Sequence, residues 1–343
     1  MALKASKNKD IRLGLDIGTR LVKGVEVSFE GAKQTLTKLH SVEIEFPPSE
    51  EKTSAALKTL LDALQSSVRD VNISLSAPSA IVRFISLPKM TEEDMKSSLR
   101  FEADKYIPFN IKEVAIDAAI LGFTNDEKKQ MQVLFAAAKK KAVESRVSML
   151  KGLGLSVSII DIDGFACFNA FLNSSDNPDP AKSAALLNVG YTQTNLVIMQ
   201  GDKPFFTRDI QIAGRDVAQA ITGRLGVTEA ESDKFIFDPK DKALQVSDAA
   251  RPVLHNLIDE IRLSFGYYEN QHGRGIEAIY LSGGLAGLGG IFKLFEENFE
   301  IKTMPWNPFA KFEIGPELKP ESLESKRAQF AVSCGLAIRR AKL

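Results

Sequence analysis

Apolar residues Ile11, Leu13, Leu15 and Ile17 alternate with other residues, Gly18-Thr19 breaks the run, and Leu21, Val22, Val25 and Val27 resume it. That is the pattern of a β-hairpin, with Asp16 and Gly18 at its turn. The plan recurs later in the chain. Leu186-Leu187-Asn188-Val189-Gly190-Tyr191-Thr192 leads into Asn195-Leu196-Val197-Ile198-Met199, with Asn188 where the first hairpin has Asp16 and Gly190 where it has Gly18. Two similar halves are predicted, each opening on a glycine-tipped hairpin.

A different mixture of elements lies between the halves. A strand is expected from Ile73 to Phe84 and a helix from Glu92 to Tyr106, capped by Thr91 with Asp94, striped by Met95, Leu99 and Ala103, and stopped by Pro108. A strand from Val114 to Leu121, a polar turn at Asn125 to Gln130, a strand from Met131 to Ala137 and a helix from Val143 to Leu153 follow, the last ended by Gly154. This reads as an inserted subdomain. The segment Ser174 to Lys182, rich in Ser, Asp and Pro, is the expected inter-lobe linker. The second half predicts a helix from near Gly214, and a helix from Pro252 to Gln271 with Ile258, Ile261, Phe265 and Tyr268 on one face. A last helix runs from about Lys326 to Arg340.

Length and charge narrow the function classes. At 343 residues the chain exceeds the usual single-domain size, so two lobes are expected. Its 44 basic and 44 acidic residues cancel, which argues against a global field for nucleic acid or a membrane surface. Cys167 and Cys334 are far apart and lack metal-ligand spacing, so neither a disulfide framework nor a zinc site is indicated, and a reducing cytoplasm fits. No apolar run approaches membrane-spanning length, and Met1 to Asp10 is followed by no signal-type apolar region. His40, His255 and His272 have no partners at catalytic spacing.

Three glycine elements carry the candidate chemistry. In Gly14-Leu15-Asp16-Ile17-Gly18-Thr19, with Lys23 beyond, a glycine tip lets backbone amides approach phosphate oxygens, and Asp16 two residues earlier can hold a hydrated Mg²⁺. In the copy Asn188-Val189-Gly190-Tyr191-Thr192 the carboxylate is an amide, which brings no charge to a metal. A strand from Ala278 runs into Ser282-Gly283-Gly284, where bare backbone can lie against a base or ribose, and then into a helix from Ile291 to Asn298. The spacing is neither Walker A nor Rossmann. Two weaker elements are Ala230-Glu231-Ser232-Asp233-Lys234, where Glu231 could accept from ribose and Lys234 pack along a base, and Asp161 with Asp163 at a helix start. Each has a purely structural alternative: a plain hairpin, a solvated helix face or a cap.

These elements in this order resemble the actin, sugar kinase and heat-shock ATPase superfamily. Within it, Phe101-Glu102-Ala103-Asp104-Lys105-Tyr106-Ile107-Pro108-Phe109 with Glu113-Val114 resembles the PilM family of type IV pilus assembly. So do Phe206-Thr207-Arg208-Asp209-Ile210, Glu260-Ile261-Arg262-Leu263-Ser264 with Tyr267-Tyr268, Asn307-Pro308-Phe309 and Cys334-Gly335-Leu336-Ala337. The resemblance implies an α/β, two-lobed actin-like fold of duplicated ribonuclease H-like domains. Lobe one would be 10–72 with 159–180 and 326–343, an FtsA-like insert 73–158, and lobe two 181–325 with a smaller subdomain at about 223–257. It also implies ATP and Mg²⁺ in the cleft, on Asp16, Gly18, Thr19 and Lys23, on Asn188, Gly190, Tyr191 and Thr192, and on Glu231, Lys234, Gly283 and Gly284, with Asp163 near the attacking water. Asn188 stands where the family usually has Asp, so slow ATPase activity at most is expected.

A groove near Phe101, Tyr106, Pro108 and Phe109 would take the N-terminal cytoplasmic peptide of a PilN-like inner-membrane protein. The protein would thus be a cytoplasmic scaffold, peripheral to the membrane through its partner and among other pilus assembly components, with self-association left open. The alternatives are an actively hydrolysing ATPase and an FtsA-like filament-forming division protein.

Overall fold

The structure is a computed structural model and describes residues 10–123, 130–175, 179–324 and 326–340. The turn expected at 125–130 and the middle of the linker expected at 174–182 lie largely outside the described residues.

The first lobe opens with an antiparallel meander of β1 (Asp10–Ile17), β2 (Leu21–Glu30) and β3 (Lys33–Glu43), followed by α1 (Glu50–Leu64) and β4 (Asp70–Leu75). Ser49 caps α1 by accepting from the Lys52 amide, and Glu50 and Glu51 in the first turn suit the positive end of the helix dipole. The strand expected as one run from Ile73 to Phe84 is two strands in different sheets. β4 stays with the lobe-one sheet, parallel to β1, and the chain then leaves through a turn containing Pro78, which has no amide to give a ladder.

Beyond that turn the insert consists of β5 (Ala80–Pro88), α2 (Glu92–Glu102), β6 (Val114–Phe123), β7 (Gln130–Lys139) and α3 (Lys140–Gly152). Its sheet has the order β5-β7-β6. Thr91 accepts from the Asp94 amide and donates to the Asp94 carboxylate, as the sequence predicted. The α-helix ends at Glu102, and a 3-10 turn over Ala103–Lys105, closed by the Tyr106 amide on the Ala103 carbonyl (2.9 Å), replaces its expected last turn before Pro108. The insert has its own core, with Met95, Leu99, Met131 and Val133 buried.

The chain returns to lobe one as β8 (Ser156–Ile162), parallel to β4, so the insert lies between Leu75 and Ser156, a few residues inside the expected span. Helix α4 (Asp163–Ser174) then crosses to the second lobe, built from β9 (Ser183–Val189), β10 (Thr194–Gln200), β11 (Lys203–Ile210), α5 (Gly214–Leu225), α6 (Glu229–Phe237), α7 (Ala243–His272), β12 (Ala278–Ser282), α8 (Ile291–Phe299) and β13 (Lys302–Pro305). The sheet order is β11-β10-β9-β12-β13. Helix α7 starts nine residues before the expected Pro252, because Val246, Ala249 and Ala250 extend its buried stripe and their packing outweighs the proline's missing amide. The chain closes with β14 (Glu313–Ile314) on the edge of the lobe-one sheet, α9 (Pro320–Glu324) and α10 (Ala331–Ile338).

The lobes share a core. Val25, Val27 and Phe29 of β2, Ala166, Cys167 and Phe171 of α4, Leu186 of β9 and Cys334 and Leu336 of α10 belong to one buried apolar cluster. Helices α4 and α10 cross so closely that a Cβ on Gly335 would stand 1.7 Å from the Ala166 carbonyl oxygen. Both cysteines are buried and free, and burial pushes the Cys167 thiol up to about 12, where it is an inert apolar group. Among the described residues no helix is long and apolar enough to cross a membrane.

Candidate functional site

The two glycine turns face each other across a cleft of about 860 Å³ between the lobes. Each is built the same way: the Gly18 amide donates to the Leu21 carbonyl (3.1 Å), and the Gly190 amide to the Gln193 carbonyl (3.0 Å). A Cβ at Gly18 would fall 2.9 Å from that carbonyl oxygen, so a side chain would crowd the turn. The tips meet, with Thr19 Oγ1 and Thr192 Oγ1 3.2 Å apart.

Below each tip lies a cross-strand pair with the same seven-residue spacing. Asp16 opposes Lys23 in β1 and β2, and Lys23 Nζ donates to Asp16 Oδ2 at 2.7 Å. Asn188 opposes Asn195 in β9 and β10, and its Nδ2 donates to Asn195 Oδ1 at 2.8 Å. The duplication thus replaces an ion pair by an amide pair. Asn195 Nδ2 donates onward to Asp209 Oδ1 (2.7 Å), and Asp209 Oδ2 accepts from the Ala77 amide (2.9 Å) at the root of the insert. Asn188→Asp would set a carboxylate against the Asn195 oxygen with no cation to match it. It is expected to cost the ligand-free protein about 1–3 kcal/mol, and Asn195→Lys in the same chain to recover part of the loss. Urea unfolding of the two variants checks this, and an unaffected single variant would contradict it.

Asp163 begins α4 and lines the same cleft. Its carboxyl is pushed up to about 6, first by burial and then by the neighbouring charge of Asp16. A carboxyl whose pKa lies above its ordinary 3.8 contributes stability below that value and loses it as pH rises through about 6. Asp163→Asn is therefore expected to stabilise the ligand-free protein at pH 7 by roughly 1–2 kcal/mol and to have little effect at pH 4. Unfolding midpoints of both proteins across that range check it, and a pH-independent difference would contradict it.

On the lobe-two side Lys234, Phe237, Gly283 and Gly284 line the cleft. Gly283 has φ +92°, and a Cβ there would lie 2.3 Å from the Val189 carbonyl oxygen, so only glycine lets β12 turn beside the second loop. Tyr191 donates to Glu229 (3.2 Å), and burial pushes its phenol well up. Glu231 does not join this group. It is exposed and spends its carboxylate on the amide (2.9 Å) and hydroxyl (2.8 Å) of Thr228, forming the capping box of α6. Asp233 is the acid of that helix that reaches the cleft. Its Oδ2 pairs with Arg20 Nε at 2.7 Å across the mouth, while its Oδ1 is buried without a hydrogen-bond partner.

Sequence reasoning did not single out Arg20, Arg146, Asp209 or Asp233. A usable signal for Glu231 was the Thr228-x-x-Glu231 capping spacing. Among the described residues no cluster of three or more His, Cys, Asp or Glu side chains could hold a metal by itself. The donor set nevertheless fits a nucleotide with its metal: two turns that meet across the cleft, Asp16 for a hydrated cation with Asp163 in the same lining, and a buried unpartnered oxygen on Asp233.

The sequence model of the family described as "Type IV pilus assembly protein PilM" matches residues 14–341. The chain belongs to the PilM family. A solved "PilM-PilN type IV pilus biogenesis complex" is similar to this PilM-family chain over 96% of its length and 98% of that chain, at 31% identity and TM-score 0.85. The ethanolamine utilization protein EutJ from Carboxydothermus hydrogenoformans matches 96% of the chain and 89% of its own, at 12% identity and TM-score 0.57. MreB 5 of Spiroplasma citri, solved bound to AMPPNP, matches 95% and 94% at 12% identity and TM-score 0.50. The last two are likenesses of fold.

The four PilM-type residues expected to form a peptide groove divide into two pairs. Phe101 on α2 is 88% exposed, and Pro108 is also exposed. Tyr106 and Phe109 instead pack partly into the core of the insert, Tyr106 edge-on to Phe135 at 6.1 Å and Phe109 beneath Lys139 Nζ at 4.9 Å.

Proposed function

We propose that this protein binds ATP with Mg²⁺ in the inter-lobe cleft and serves type IV pilus assembly as a scaffold on the cytoplasmic face of the inner membrane. It is held there by the N-terminal cytoplasmic peptide of a PilN-like protein docked beside the insert. The observation that carries the nucleotide half is the pair of glycine turns, closed by the same hydrogen bond and meeting at Thr19 and Thr192, with Asp16 and Asp163 in the lining of the same cleft. The turns at Gly18 and Gly190, through the amides beyond those two that close them, would bind the phosphates with Lys23, Asp16 would hold the hydrated cation, and Asp163 would orient a water. The adenosine side falls to Lys234, Gly283 and Gly284, with Asp233 rather than Glu231 as the acid in reach. With nucleotide and Mg²⁺ bound, residues of both turns would contact one charged ligand, which would tie the turns together. Turnover is slow in this reading, because the second turn offers an amide pair and no second carboxylate beside the cation.

The partner half rests on family membership and on Phe101, a phenyl ring on α2 of the insert that is 88% exposed. Such a ring is a suitable anchor for an extended apolar peptide. Phe101→Glu is expected to weaken binding of the partner's N-terminal peptide by tenfold or more with the unfolding midpoint unchanged, since the ring makes no contribution to the core. Fluorescence anisotropy with a labelled peptide tests this, and binding that survives the substitution would overturn the assignment.

A further inference from the structure

One face of α3 turns toward the cleft: Ala142, Ser145, Arg146 and Met149, at helical spacing, all line it. Ser145 donates to Glu50 of α1 (2.9 Å), which fixes that face against lobe one. Arg146 is half-buried, and among the described residues its one hydrogen bond is a long one, from Nη2 to the Ile17 carbonyl at 3.4 Å, immediately before the glycine of the first turn. It forms no salt bridge among the described residues, although Asp163, Asp16 and Glu50 are its acidic neighbours. A guanidinium is a fork of five donors, and this one is largely withdrawn from water with most of its donors unused.

We infer that Arg146 is a binding residue for the terminal phosphate of a nucleoside triphosphate, reaching the first glycine turn from the inserted subdomain. The inference rests on the proposed nucleotide cleft and deepens it. Three features argue for an anion as the missing partner. The fork stands beside the turn whose amides would hold phosphate. Its cation is under-solvated, and burial pulls its pKa down from the usual arginine value, which a bound dianion would reverse. Its acidic neighbours Asp163, Asp16 and Glu50 lie close enough to attract it but do not pair with it, so it is held beside the acidic lining of the cleft without being consumed by it. Charge-assisted, forked contacts to phosphate are the use for which arginine is best suited. Because β7 runs directly into α3, the contact would also join the insert to a triphosphate and leave it unjoined to a diphosphate.

The test is calorimetric titration of wild type, Arg146→Ala and Arg146→Gln with ATP and with ADP, each with Mg²⁺. The expected result is a loss of tenfold or more in ATP affinity for both variants and a change under twofold for ADP. The ADP arm also reports an intact cleft, and the glutamine variant, which keeps the packing of the aliphatic stem and a polar end but not the charge or the full reach, stands in if the alanine variant fails to fold. Equal losses for both nucleotides would make Arg146 a merely structural part of the cleft, and no loss for ATP would leave it no phosphate to hold; either result overturns the inference. A wild type that binds neither nucleotide would instead overturn the cleft reading on which it rests.

Discussion

Gly335→Ala is expected to destabilise the fold by about 3 kcal/mol, near the upper end of what overpacking a core usually costs. At this position even a methyl group has no room, because its Cβ would sit 1.7 Å from the Ala166 carbonyl oxygen, and that atom belongs to helix backbone. Relief requires α10 and α4 to move apart. Those helices lie in an apolar cluster that includes strands of both lobes, so the separation would loosen the joint between them. Asp163 is the first residue of α4, and a shifted helix would carry it away from Asp16. Urea unfolding checks the stability loss, and a variant as stable as wild type would show that the crossing is not the tight joint described here.

Asp16→Ala is expected to remove most of the Mg²⁺ dependence of ATP binding, lowering affinity in the presence of the metal by about 30-fold, or 2 kcal/mol. Asp16 is the one acid among the paired turn residues, its counterpart being Asn188. The substitution also strands Lys23, whose ammonium is largely buried and has Asp16 as its partner at 2.7 Å. Removing one member of a buried pair leaves an uncompensated charge, so a stability loss of about 2–3 kcal/mol accompanies the loss of affinity. The two effects separate by comparing titrations with Mg²⁺ and with a chelator. Wild type should differ strongly between them and Asp16→Ala scarcely. A variant that retains the full metal effect would remove Asp16 from the cation site.

The parts of this molecule that follow local rules were legible in its sequence. Alternation placed both hairpins, and the glycines at 18 and 190 marked turns that are alike to within 0.1 Å in their closing hydrogen bonds. Thr91 and Asp94 announced the start of α2. Stretches quoted for the family resemblance turned out to be partners, since Arg208 of one pairs with Glu260 of the other at 2.5 Å. What was not legible depends on which distant residues meet. Arg20 and Asp233 are brought together only by the facing of the lobes, as are Arg146 and Ile17 by the seating of the insert. Asp233 and Glu231 lie two residues apart on one helix, and spacing alone does not say which spends its carboxylate on a cap. Asn188 read as a weakened Asp, whereas its amide is half of a matched pair with Asn195, a partner set by register across the hairpin. Pro252 read as a helix start because its local preference is strong, and the buried residues before it outweighed that preference.

ATP with Mg²⁺ bound between the two turns would join the lobes and so stabilise the fold. A ligand that binds only the folded state raises stability with the logarithm of its concentration, by about 2.7 kcal/mol at a hundred times its dissociation constant. Thermal unfolding of the purified protein across a series of ATP concentrations with Mg²⁺ measures this directly. The midpoint is expected to climb by several degrees, steadily with the logarithm of ATP concentration, and a midpoint that stays flat into the millimolar range would contradict nucleotide binding in the cleft.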